Sequence, residues 1–70
     1  MAKDILVKIN GEERRLATGI TMAQLLESLN LNPGRLACEL NMEIIKRTDY
    51  ASTRLKEGDT VEIVQMIGGG

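Results

Sequence analysis

The residues best placed to do chemistry are the last three, Gly68-Gly69-Gly70, together with the carboxylate that follows them. Glycine lacks Cβ and loses more conformational freedom than any other residue when ordered, so three in a row make a thin, pliant thread. Fully extended, the thread reaches roughly 10 Å past the residue before it. A channel too narrow for any side chain would admit it, and the Gly70 carboxylate is sterically open. The expectation is that this carboxylate is the functional group. Read alone, the same ending also fits a linker remnant. What favours the functional reading is that Thr60-Val61-Glu62-Ile63-Val64-Gln65-Met66-Ile67 runs straight into the glycines with no polar spacer.

Other chemistries are scarce. The chain has no histidine and one cysteine, Cys38, which leaves no internal disulfide, no two-cysteine metal knuckle and no Ser/His or Cys/His pair. The expectation is therefore a protein that is not itself an enzyme and binds no metal. Lys plus Arg number 9 and Asp plus Glu 10, so no basic patch for nucleic acid and no polybasic membrane anchor is expected. With one tyrosine and no Phe or Trp, stacking platforms for single strands are missing as well. No apolar run is long enough for a signal segment or a membrane span, and the cytoplasm is the expected compartment.

A chain of 70 residues makes one small domain. A domain of that size buries only about 60% of its unfolded surface, so local signals must be consistent. Ile5, Val7 and Ile9 alternate with polar or outward positions and predict a first strand. Asn10-Gly11 suits a two-residue type I′ turn. A second strand over Glu12–Ala17 carries Glu-Glu-Arg-Arg, the charged pattern of a solvated edge. Thr21 and Gln24 stand at capping-box spacing, with Ile20 and Leu25 at the staple positions, so a helix starts here. Leu25, Leu26 and Leu29 form its core stripe, and Asn32-Pro33-Gly34 stops it near Asn30. Arg35–Asn41 predicts a third strand with Leu36, Cys38 and Leu40 on one side, which makes Cys38 a small buried hydrophobe. After a turn at Asn41-Met42, a short strand spans Glu43–Arg47 and residues 48–53 are irregular. Tyr50 is expected over the core edge with its hydroxyl in water. Leu55 plugs the core, and a tight turn at Lys56-Glu57-Gly58-Asp59 leads into the last strand. The result is an α+β domain with one main helix on one face of a mixed sheet.

That order of elements, with Gly58-Asp59 before the last strand and Gly69-Gly70 at the end, resembles the ubiquitin-like β-grasp sulfur carriers, the ThiS/MoaD family, and most closely its thiamine branch. Leu55–Ile63 is similar to the family's Gly-Asp turn and closing strand. Asn41–Tyr50 is similar to its segment of Asn, paired β-branched residues, a basic residue and an aromatic. The family's tail has two defining glycines, and Gly68 is an extra one here. The molybdopterin-synthase small subunit is similar too, but is generally longer and often aromatic and proline-rich before its glycines.

The resemblance implies a β-grasp domain over residues 1–67 and a flexible tail over 68–70. It implies a partner, a ThiF-like adenylyltransferase, that uses ATP and Mg to convert the Gly70 carboxylate to an acyl-adenylate. A sulfur donor such as a cysteine desulfurase would then yield a terminal thiocarboxylate. Thiazole synthase (ThiG-like) would take its sulfur for the thiazole ring of thiamine. The carrier itself would bind no cofactor. Gly68 and Gly69 would thread the partner, and Val64, Met66 and Ile67 would form the docking handle beside them. Alternation from Val61 and Ile63 puts Val64 and Met66 on the exposed face, whereas Ile67 reads equally well as core. A molybdopterin-type carrier and a ubiquitin-like modifier joined to lysines through Gly70 remain as alternatives.

Overall fold

The computed structural model describes residues 4–66. The tail over 68–70 and the expected roles of Ile67, Gly68, Gly69 and Gly70 lie outside the described residues.

The first hairpin forms as its turn chemistry requires. Strands β1 (Asp4–Ile9) and β2 (Glu12–Ala17) pair antiparallel with Ile9 opposite Glu12, so only Asn10 and Gly11 remain for the turn. Both take positive φ, 50° and 84°, the conformation a type I′ turn needs and glycine and asparagine accept. Every second residue of β1 (Ile5, Val7, Ile9) is buried, and β2 is an edge strand with its charged residues in solvent. An Arg14–Glu12 contact at 3.5 Å is the one ion pair among the described residues.

Helix α1 (Met22–Ser28) begins with the full capping box. The Gln24 N–H donates to Thr21 Oγ1 at 3.1 Å, and the Thr21 N–H donates to Gln24 Oε1 at 3.0 Å. Met22, Leu25 and Leu26 are buried, and Leu29, just past the last turn, packs against the core. Asn30 ends the run in the left-handed region at φ 59°. Asn32 caps a short 3₁₀ turn, Pro33–Arg35, through the Gly34 N–H.

Strand β3 (Leu36–Leu40) follows, then the Asn41-Met42 turn and β4 (Glu43–Ile45). β4 is shorter than the expected Glu43–Arg47. From Arg47 to Ser52 the chain forms a 3₁₀ helix where irregular structure was expected. That helix rolls Tyr50 inward to 4% exposure. Tyr50 therefore packs into the core beside buried Cys38, deeper than the expected position over the core edge. The sequence offers no local cue for this, because a 3₁₀ turn has no strong periodic signature.

Strand β5 (Thr60–Gln65) completes a sheet of order β2-β1-β5-β3-β4. It lies parallel to β1 and antiparallel to β3. The turn before it is held by Asp59, whose Oδ2 accepts the Lys56 N–H at 2.8 Å, with Gly58 at φ 85°. Leu55 is buried, and its N–H donates to the Ile20 carbonyl at 2.9 Å, tying the connection to the helix start. The helix covers one face of the sheet, where Ile5, Val7, Ile9, Leu36, Cys38, Val61 and Ile63 meet Met22, Leu25 and Leu26. This is the mixed sheet with one main helix that the residue pattern predicts.

Cys38 and Tyr50 give the core a pH dependence. Burial pushes the Cys38 thiol up, and its hydrogen bond with the Tyr50 hydroxyl offsets part of the rise. Burial and the same hydrogen bond push the Tyr50 hydroxyl up to about 12. A raised folded-state value means that stability is complete below the unfolded tyrosine range near 10 and drains away as pH climbs toward 12. The expected loss attributable to Tyr50 is roughly 2 kcal/mol. Urea midpoints measured at pH 8 and pH 11 should diverge in the natural protein and much less in Tyr50→Phe. Equal slopes for the two would contradict the assignment. Cys38→Ser should cost about 1–3 kcal/mol by placing a hydroxyl in an apolar site. A thermal melt of the variant beside the natural protein checks the cost. An unchanged melt would contradict the apolar setting of Cys38.

Candidate functional site

The helix covers one face of the sheet, and the other carries the candidate surface. Because side chains alternate along a strand, burial of Val61 and Ile63 forces Thr60, Glu62 and Val64 to the open side. Val64 is 60% exposed, and Met66, one residue past the strand, is 61% exposed. Both therefore stand where the sequence places them, as surface and not as core. Together they form an exposed apolar patch at the end of β5. Ile67, the third expected handle residue, lies outside the described residues, as do Gly68, Gly69 and Gly70.

The ladder with β3 broadens this surface. Ala37 lies opposite Val64, and Glu39 lies opposite Glu62. On the other side of β3, Ile44 of β4 is the partner of Glu39 and is 76% exposed. Met42, in the turn before β4, is also exposed. Ala37, Ile44 and Met42 were not expected in the site. Two successive isoleucines in a strand must point to opposite faces, so one of Ile44 and Ile45 had to be outward. Which one depends on a register that only pairing with β3 decides.

The electrostatics of the face are simple. Glu39 and Glu62 sit directly across from each other, a like-charge arrangement that costs a little stability in a free sheet. Neither has an ion-pair partner among the described residues. The face thus combines apolar side chains with two carboxylates, a surface suited to contact with another protein. Cys38 lies on the covered face, buried, with its thiol pushed up by that burial, so it presents no thiolate at the surface.

The strand that supports Val64 keeps its shape to the end of the described chain. Pairing with β3 continues to Leu36 opposite Gln65, and the Met66 N–H donates to the Arg35 carbonyl at 2.8 Å. Up to Met66 the strand is thus a fixed stem beside an exposed apolar patch.

Comparison with known proteins gives this arrangement its place. The family model described as the ThiS family matches residues 7–70, nearly the whole chain and its glycine end. The chain belongs to the ThiS family. It is 30% identical over 64 residues to the sulfur carrier protein ThiS of Escherichia coli, covering 91% of this chain and 97% of that one. The crystal structure of the thiamine biosynthesis protein ThiS from Geobacter metallireducens superimposes with a TM-score of 0.82 at 29% identity. That superposition covers 94% of this chain and 100% of the other, so the ubiquitin-like β-grasp fold is shared throughout. A 42% identity over 62 residues links the chain to a thiazole synthase of Paramagnetospirillum magneticum. The match takes in 89% of this chain but only 19% of that protein's length. The ThiS-like unit is thus a minor part of a much longer chain in that relative.

Proposed function

We propose that this chain is a sulfur carrier of thiamine biosynthesis, and that the Gly70 carboxylate bears the sulfur. The observation that carries the reading is the family match, which runs through the glycine end as well as the folded domain. The exposed pair Val64 and Met66 at the base of that end supports it.

The chemistry divides between the chain and its partners. A carboxylate is a poor electrophile until its oxygen becomes part of a leaving group. An adenylyltransferase of the ThiF type would supply MgATP, the Gly70 carboxylate oxygen would attack the α-phosphorus, and pyrophosphate would leave. A persulfide, delivered by a donor such as a cysteine desulfurase, would then attack the acyl carbon and expel AMP. Cleavage of the resulting acyl disulfide by a thiol reductant would release the thiocarboxylate. Magnesium and phosphates need a charged clamp, which in this reading belongs to the adenylyltransferase. What the carrier contributes is the patch that docks and the glycines that fit the channel, so it acts as a substrate protein and not as an enzyme.

Thiazole synthase is the proposed consumer of the sulfur. The similarity to a segment of a protein of that name supports this partner, and the likeness to the Escherichia coli carrier supports the thiamine branch over the molybdopterin one. The direct test is ATP–pyrophosphate exchange by the cognate adenylyltransferase with this chain as acceptor. Exchange that depends on the chain is expected. No exchange, under conditions where another ThiS protein supports it, would overturn the reading.

A further inference from the structure

Strand β5 leads to the glycine end, and its two flanks are held unequally. On the β3 side the backbone ladder runs from Leu40 opposite Val61 to Leu36 opposite Gln65. On the β1 side the pairing covers only Lys8 with Thr60 and Ile9 with Val61, because the chain turns back at Asn10-Gly11. The last backbone bond there runs from the Asn10 N–H to the Val61 carbonyl at 2.9 Å.

Past that bond the Asn10 side chain takes over. Its Oδ1 accepts the Ile63 N–H at 2.7 Å, and its Nδ2 donates to the Ile63 carbonyl at 3.2 Å. A carboxamide carries the donor and acceptor of a peptide group, so Asn10 adds one more rung to the ladder after the strand itself has ended. The turn alone does not require this amide. It requires positive φ, which glycine supplies at least as well.

We propose that Asn10 is a positioning residue for sulfur transfer. By tying Ile63 to the first hairpin, it sets the direction in which β5 presents Val64, Met66 and the chain beyond them to the partner's active site. The proposal rests on the sulfur-carrier reading above. Without the rung, the backbone of β5 beyond Val61 is hydrogen-bonded from the β3 side only. A small angular error at the base of a thread becomes a larger displacement at its tip, and a misplacement of about 1 Å at a reacting atom can cost about a hundredfold in rate.

The test compares two changes in the same turn. Asn10→Gly keeps the turn and removes both bonds to Ile63. Gly11→Ala leaves those bonds in place and strains the turn, because Gly11 sits at φ +84° with open space around its missing Cβ. Pyrophosphate exchange is measured with the adenylyltransferase and MgATP over a range of carrier concentrations. Asn10→Gly should lower kcat by about tenfold while changing the KM for the carrier less than about twofold. Gly11→Ala should lower the melting temperature and leave kcat at the natural value. An unchanged kcat in Asn10→Gly would overturn the proposal, as would an equal loss in Gly11→Ala. If Asn10→Gly does not fold, Asn10→Asp is judged by the same kcat criterion, since it keeps the acceptor and loses the donor to Ile63. Failure of the natural protein to support exchange would bring down the sulfur-carrier reading itself, a result distinct from either variant's behaviour.

Discussion

Deleting Gly70, or capping its carboxylate with a tag, should abolish growth of a thiamine-requiring strain that depends on this chain. The same change should leave the thermal melt almost where it was, within about 0.5 kcal/mol in stability. The two halves of the expectation have separate causes. Among the described residues the core cluster runs from Ile5 to Ile63, upstream of the glycines. The acyl group to be activated, in contrast, exists only at the final residue. Deleting Gly70 leaves the Gly69 carboxylate about 3.5 Å short of the reacting position, an amide cap removes the oxygen nucleophile, and a tag carries the carboxylate past that position. Full growth with the carboxylate blocked would sink the sulfur-carrier reading, and a collapsed melt would show that the tail belongs to the fold.

Val64→Asp and Met66→Asp should each weaken binding to the adenylyltransferase by about 2 kcal/mol or more, as expected when a buried contact residue is lost. That is roughly thirtyfold in the dissociation constant. The fold should survive, because both side chains are more than half exposed and a charge there remains hydrated. A stability change of no more than about 1 kcal/mol is expected, most of it from the poor strand propensity of aspartate. Each variant needs a melt and a binding isotherm. Lost binding with a normal melt identifies the handle. Normal values for both would mean that the glycines alone are recognised, and the docking face would be withdrawn.

Much of this arrangement could be read in the residues because local signals agreed with one another. Asn10-Gly11 dictated a turn that only positive φ can make, and both residues adopt it. Thr21 and Gln24 formed both halves of the cap. Alternation from Val61 and Ile63 put Val64 and Met66 outside. What was not legible depends on partners distant in sequence. The outward direction of Ile44 follows from its register against Glu39. The burial of Tyr50 follows from a 3₁₀ helix and from a neighbour, Cys38, that lies on another strand. The Asn10 amide serves Ile63, 53 residues away, and in the sequence it is indistinguishable from a turn residue. In each case the strand or turn is locally encoded, while the face or bond it presents is decided by tertiary pairing.

Conversion of the terminal carboxylate to a thiocarboxylate can be read by intact mass spectrometry. The chain is incubated with its adenylyltransferase, MgATP, a persulfide donor and a thiol reductant. A mass gain equal to sulfur replacing one oxygen is expected, confined to the C-terminal peptide and absent when the carboxylate is capped as an amide. An unchanged mass, in a reaction that converts another ThiS protein, would contradict it, and a lysine-linked adduct in its place would make the chain a protein modifier.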